Sequence, residues 1–93
     1  MAVMKQSVSE FRRIYDGDGI EYSYYLTIEE DEISSARYGA KITLKTEDGI
    51  YERESGAFFF SRERAVSFLM FLSRHRVTPG NLPYVIEDLL DFE

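Results

Sequence analysis

The chain has 93 residues, of which 44% are hydrophobic and 15% aromatic, and it contains no cysteine. A chain of this length has room for a single core, and its apolar content is too high for a disordered segment, so we expect one folded domain over residues 1–93. Eleven basic side chains against seventeen acidic ones leave a net charge of −6, which repels phosphate backbones and anionic membrane surfaces. Direct binding to nucleic acid or to a membrane is therefore disfavoured.

The absence of cysteine and the hydropathy pattern indicate in which cellular compartment the protein is located. Without cysteine there are no disulfides, thiolate zinc sites or cysteine nucleophiles, which fits a reducing environment. The most apolar segment, residues 65–72, is far shorter than the roughly 20 residues that a membrane-spanning helix needs. Residues 1–8 lack the apolar centre of a secretion signal. We therefore expect a cytoplasmic protein.

The first half of the chain predicts three strands. Residues 8–15 indicate a first strand, although Arg12 and Arg13 interrupt its alternation. Residues 20–28 alternate apolar with polar side chains and predict the clearest strand, and Asp-Gly-Asp-Gly at 16–19 predicts a tight antiparallel hairpin between the two. After an acidic loop at 29–32, alternation at residues 38–45 predicts a third strand.

The second half predicts one more strand and two helices. A turn at 47–49 leads to a polar strand at about residues 50–55, expected at a sheet edge, and residues 57–60 would extend the sheet to a fifth strand. Ser61 suits a helix N-cap before an amphipathic helix at 62–75, and Asn81 suits the N-cap of a second helix at 82–90. The predicted fold class is α+β: a four-stranded or five-stranded antiparallel meander, followed by two C-terminal helices packed on one face.

Four short motifs carry a resemblance: the turn and helix start within 77–88, Tyr24-Tyr25-Leu26 in the second strand, Tyr38-Gly39 in the third, and the helix start at 61–64. In these motifs the chain is similar to an uncharacterised family of small proteins from clostridia and related Gram-positive bacteria, a domain of unknown function. The resemblance implies a bacterial protein. It implies no activity, cofactor or functional residue.

No pattern in the sequence predicts catalysis or metal binding. Asp16 and Asp18 resemble the opening of a calcium loop, but position five of that loop falls on Ile20 and position twelve on Thr27 instead of Glu, so we interpret the segment as a hairpin turn. The acidic run at 29–32 is read as a solvated loop, with a partner-steering or metal-attracting patch as the alternative.

The single histidine also argues against a catalytic or metal-binding site. His75 is the only histidine, which excludes zinc sites with several histidines, and its place at a helix end favours a capping or surface role. There is also no phosphate-binding glycine loop and no G-x-S-x-G element. We expect no cofactor and no enzyme activity.

The aromatic and apolar side chains exceed what one sheet face should bury. Tyr25 points to the sheet face opposite Tyr24, consecutive phenylalanines at 58–60 cannot all face one way, and several residues widen the apolar stripe of the first helix. Aromatic side chains are enriched at interface centres. The candidate interaction residues are Tyr25, Phe59, Val66, Met70 and Phe71.

Three functional hypotheses follow from these observations. The first is a non-catalytic protein-interaction or regulatory module that binds an unknown protein or forms a homodimer. The second is an acidic mimic of nucleic acid that blocks a nucleic-acid-binding protein, which requires carboxylates in an ordered row. The third is a small carboxylate-based enzyme, which requires acids that converge in a concave pocket.

Overall fold

The computed structural model describes residues 5–30, 36–57 and 59–91. Its elements in chain order are β1 (Lys5–Asp16), β2 (Ile20–Glu30), β3 (Arg37–Thr46), β4 (Gly49–Glu54), α1 (Arg62–Arg74) and α2 (Leu82–Asp91). The strands form one antiparallel sheet in the order β1-β2-β3-β4. The predicted α+β class, with a four-stranded meander and two C-terminal helices, is confirmed.

Tight turns connect the strands at two places. The Asp16 carbonyl accepts a hydrogen bond of 3.2 Å from the Gly19 amide, and Gly19 adopts a φ of 81°, which glycine tolerates best. This turn confirms the predicted hairpin. Between β3 and β4 the Thr46 side chain accepts a bond of 3.1 Å from the Asp48 amide. Glu29 and Glu30, predicted as the start of an acidic loop, instead belong to β2 and pair with Gln6 and Lys5, and residues 31 and 32 of the predicted loop lie outside the described residues.

A β-bulge in β1 accounts for the imperfect alternation of this strand. Glu10 pairs with Tyr25 and Arg12 pairs with Tyr24, so Phe11 is the extra residue. In a regular strand Phe11 and Ile14 would face opposite sides of the sheet, because they are three positions apart. The bulge resets the alternation, and both side chains pack against the same core.

The segment after β4 makes a single bridge instead of the fifth strand. The amide and carbonyl of Phe59 exchange hydrogen bonds of 3.0 and 2.8 Å with Tyr38. Regular pairing stops before this point, since Gly56 has a φ of 88° and redirects the backbone. The predicted extension over residues 57–60 is thus reduced to one pair, and Phe58 lies outside the described residues.

One apolar core fills the space between the sheet and the helices. α1 lies across β2 and β3, and α2 adds Leu82, Val85 and Ile86. The fully buried side chains of this core are Tyr24, Ala40, Ile42, Ala65, Leu69, Leu72 and Leu82. Both helices lie on this side of the sheet, which we call the inner face; the opposite side is the outer face. No helix in the described parts of the chain is long and apolar enough to span a membrane.

α1 begins at the predicted cap, whereas before α2 the side-chain capping bond involves Thr78 instead of the predicted Asn81, since the Thr78 hydroxyl accepts a bond of 3.3 Å from the Asn81 amide. The Ser61 hydroxyl accepts a bond of 3.4 Å from the Arg64 amide, which otherwise has no partner within the first helical turn. The Asn81 carbonyl accepts bonds from the amides of Tyr84 and Val85 at 3.1 and 3.2 Å, as expected for the residue that precedes the first helical position.

α1 ends in a Schellman motif that is closed by a residue other than glycine. The Arg76 amide donates to the Ser73 carbonyl at 3.2 Å, and the Val77 amide donates to the Leu72 carbonyl at 2.9 Å. Arg76 has a φ of 49°, a left-handed conformation that is unfavourable for any residue with a Cβ. The motif turns Val77 into the core, where its carbonyl accepts a bond of 3.1 Å from the Tyr24 hydroxyl.

Candidate functional site

The structure separates the five candidate interaction residues. Tyr25 is half-buried on the outer face, because it alternates with the buried Tyr24 along β2. Phe59 lies on the inner side, with its ring centroid 5.3 Å from that of Phe68, and packs against the core. Val66, Met70 and Phe71 lie on α1. These last three share one helix.

Val66, Met70 and Phe71 form a surface that we call the α1 ridge. Val66 and Met70 are one helical turn apart on one flank of the buried stripe, whereas Phe71 lies about 100° further round the helix than Met70, on the opposite flank. Met70 is 43% and Phe71 47% exposed. The Phe71 ring lies 4.5 Å from the ring of His75, which extends the ridge by one turn. The ridge thus consists of apolar side chains that border the solvent side of α1.

A cluster of positive charge surrounds the α1 ridge. Within residues 62–76 there are four arginines against one glutamate, which gives this segment a charge of +3 in a chain whose net charge is −6. All of these charged side chains are exposed, and they stand at the two ends of the helix: Arg62, Glu63, Arg64, Arg74 and Arg76. Sequence analysis missed this cluster, although a local charge count along the chain would have found it.

The outer face around Tyr25 is covered by charges of alternating sign. Lys41 lies opposite Tyr25 on β3, places its Nζ 5.9 Å from the centroid of that ring, and forms an ion pair of 3.1 Å with Glu52. Arg13 pairs with Glu10 at 2.7 Å and with Glu21 at 3.2 Å. These contacts give the outer face the character of a solvated surface, since each basic group has an acidic neighbour.

The surroundings of Arg13 stabilise its protonated, positively charged form. Hydrogen bonds with Tyr15 and Glu10, followed by the negative charges of Glu10 and Glu21, hold the pKa of Arg13 above its usual range. Arg13 is therefore a fixed positive charge near the β1 edge of the outer face. It carries no proton that catalysis near neutral pH would use.

The acidic residues are scattered over the described surface instead of forming one site. Glu10, Glu21 and Glu52 all take part in ion pairs with basic side chains. Within residues 5–30, 36–57 and 59–91 there is no group of three His, Asp or Glu side chains arranged to hold a metal ion. Asp16 ends β1 and its carbonyl closes the turn before β2, as the hairpin interpretation predicts.

Comparison with known proteins gives one match. A family of unknown function, DUF6514, matches residues 5–92. No curated protein and no solved structure matches the chain. The match confirms the resemblance to an uncharacterised domain family, whereas the clostridial origin stays a prediction. Since the match spans nearly the whole chain, this protein belongs to DUF6514, a family of unknown function.

Proposed function

We propose that this chain is a non-catalytic protein-interaction module that binds its partner through the α1 ridge. One observation carries the proposal: Met70 and Phe71 are both exposed on a helix whose two ends carry four arginines against one glutamate, in a protein of net charge −6. The complementary surface is an apolar groove with an acidic rim. The partner we propose is therefore a protein that presents such a groove, in the cytoplasm of a bacterium.

The physical basis is a division of roles between apolar and charged side chains. Burying the exposed parts of Met70 and Phe71 would contribute on the order of 1 kcal/mol each, because full burial of such a side chain contributes about 1.5–3 kcal/mol. The arginines at the helix ends would speed association with an acidic rim through long-range attraction. An apolar centre within a charged border is the usual anatomy of a protein interface.

The same surface is less suited to nucleic acid. The net charge of −6 opposes the approach of a phosphate backbone, and the centre of the ridge is aliphatic and aromatic. The acidic-mimic hypothesis has less support than the ridge, since Glu10, Glu21 and Glu52 are neutralised by neighbouring basic groups. Among the described residues, no cluster of three acidic or histidine side chains supports the enzyme hypothesis.

Affinity capture with matched variants tests the proposal. The wild-type chain, a ridge variant with Met70→Ser and Phe71→Ser, and a control variant Ile50→Ser are used as baits in a lysate of the source organism, with quantitative mass spectrometry. Ile50 is 63% exposed but lies on β4, away from α1, so the control removes exposed apolar surface elsewhere. We expect a protein that the wild type and the control capture and that the ridge variant loses.

Calorimetry with the purified captured protein completes the test. We expect at least a tenfold weaker affinity for the ridge variant, a loss for Arg74→Glu, and weaker binding of the wild type at high salt. Thermal unfolding of each variant shows whether the fold is retained. Equal capture by all three baits, or binding to RNA in place of protein, would refute the proposal.

A further inference from the structure

Among the residues that the structure describes, β1 and β4 are the two edge strands, and the β1 edge is the longer one. β1 has 12 residues and β4, at the other edge, has six. An unpaired edge offers backbone donors and acceptors to any strand that can match it. β1 also carries two exposed apolar side chains, Val8 at 53% and Tyr15 at 68%. This edge is the best-equipped part of the sheet for pairing with another strand.

The bulge sets which side chains of β1 share a face. Arg12 points to the inner face, where its Nη1 lies 3.4 Å from the Ser73 hydroxyl of α1. Arg13 points to the outer face, where it pairs with Glu10 and Glu21. Glu10 and Arg13 therefore lie on the same face although they are three positions apart, with the bulge between them.

This arrangement makes the edge of β1 complementary to itself. Consider a second copy that runs antiparallel with its Arg12 opposite Phe11 of the first. Glu10 of each copy then faces Arg13 of the other, and Val8 of each faces Tyr15 of the other. Both pairs lie on the outer face and occur twice, because the arrangement has two-fold symmetry. Opposite charges and apolar pairs across strands stabilise a sheet.

The register also matches the two bulges. A bulge normally protects an edge, because one strand gains a residue relative to its neighbour and twists away. In this register the bulge of each strand stands opposite the bulge of the other, so neither strand has an unmatched residue. Side chains that face each other remain on the same side of the sheet over residues 7–16, as antiparallel pairing requires.

The other edge of the sheet lacks this complementarity. Its outer-facing acidic residues are Glu52 and Glu54. Pairing of β4 with itself about Glu52 would set Glu52 of one copy against Glu52 of the other, and like charges directly opposite each other are destabilising.

We infer that a second copy of this chain pairs with the β1 edge in this register and forms a continuous eight-stranded sheet. This interface involves the β1 edge and not the α1 ridge, so it is independent of the proposed partner. The two surfaces would remain accessible at the same time. The dimer would then present two α1 ridges.

Charge exchange at Glu10 and Arg13 tests the inference. Sedimentation velocity of the full chain in 0.15 M salt is expected to show twice the 10.9 kDa chain mass for the wild type. Glu10→Arg and Arg13→Glu should each be monomeric, since each places like charges opposite each other twice. An equimolar mixture of the two variants should restore the dimer, because each copy then meets its charge opposite. Lys41→Glu on β3 is the matched control and should remain dimeric.

Disulfide trapping determines the register. The chain has no cysteine, so Val8→Cys and Tyr15→Cys introduce the only thiols. Mixed under mild oxidation, they should form a cross-linked heterodimer, whereas Val8→Cys alone should not cross-link efficiently with itself. A monomeric wild type overturns the inference, as does a dimer that both charge variants retain. Met70→Ser with Phe71→Ser should leave the dimer intact, so failure here is distinguishable from failure of the α1 ridge.

Discussion

Tyr24→Phe tests the bond that ties the sheet to the end of α1. The Tyr24 ring is fully buried, and its hydroxyl donates to the Val77 carbonyl at 3.1 Å. Phenylalanine keeps the ring and leaves that carbonyl without this partner. A buried polar group left unpaired costs about 1–3 kcal/mol, so the free energy of unfolding should fall by that amount.

Urea denaturation followed by circular dichroism measures the change. The midpoint should fall while the dependence of stability on urea stays the same, since the surface exposed on unfolding is unchanged. A melting temperature should drop by about 4–8 °C for each kcal/mol lost. Tyr25→Phe, the adjacent residue on the outer face, is the control and should change stability by less than about 0.5 kcal/mol. If Tyr24→Phe is no more destabilising than this control, the bond does not hold α1 to the sheet.

The pH dependence of stability, compared between the wild type and Tyr24→Phe, gives a second test. Burial, and then the neighbouring charge of Tyr22, raises the pKa of Tyr24 from 10.0 to about 12, although Arg76 lowers it. Between these values the unfolded chain has released the Tyr24 proton and the folded chain has kept it, so stability falls as pH rises. The loss of stability begins near pH 10 and reaches roughly 2–3 kcal/mol by pH 12. Tyr24→Phe lacks this term, so its stability should decline less steeply, and parallel curves would refute the reasoning.

Two pairs of backbone substitutions have expected effects of known sign. Arg76→Gly should raise stability by about 0.5–1 kcal/mol, because glycine adopts the left-handed φ of 49° without strain. Arg74→Gly, within the helix, should lower stability by about 1 kcal/mol. If thermal denaturation gives both changes the same sign, the Schellman assignment is contradicted. Gly39→Ala should cost about 1–3 kcal/mol in urea denaturation, since its new methyl group would collide with the Gly56 carbonyl, and Gly80→Ala, which has open space, should be near neutral. Equal stability of the two alanine variants would show that the close approach at Gly39 is not real.

Local signals in the sequence were sufficient for the order and type of the elements. Alternation identifies a strand because side chains project to opposite faces at every step, and this is true of β2 and β3 whatever surrounds them. The hairpin at Gly19 and the cap at Ser61 also depend on a few neighbouring atoms. Such features are determined within four or five residues, so the sequence is enough to predict them.

The bulge in β1 and the end of the sheet depend on contacts between distant residues. Phe11 and Ile14 share a face because both fill the core under the helices, and only the position of α1 makes that favourable. The phenylalanines after β4 predicted further strand, but Gly56 redirects the chain and leaves one bridge at Phe59. Arg76 in a left-handed conformation has no sequence signal, since glycine is the usual residue there.

For the candidate surfaces too, some properties follow from the sequence and others only from the tertiary structure. The sequence by itself determined that Tyr25 lies on the face opposite Tyr24 and that Met70 and Phe71 widen the apolar stripe of α1, because each statement follows from the period of one element. Only the tertiary structure decided that Phe59 belongs to the core, that Tyr25 is surrounded by ion pairs, and that the α1 ridge stays open to solvent. The reason is that one sheet face is covered by both helices and the other by neither, and this division depends on packing between elements rather than on the pattern within any of them.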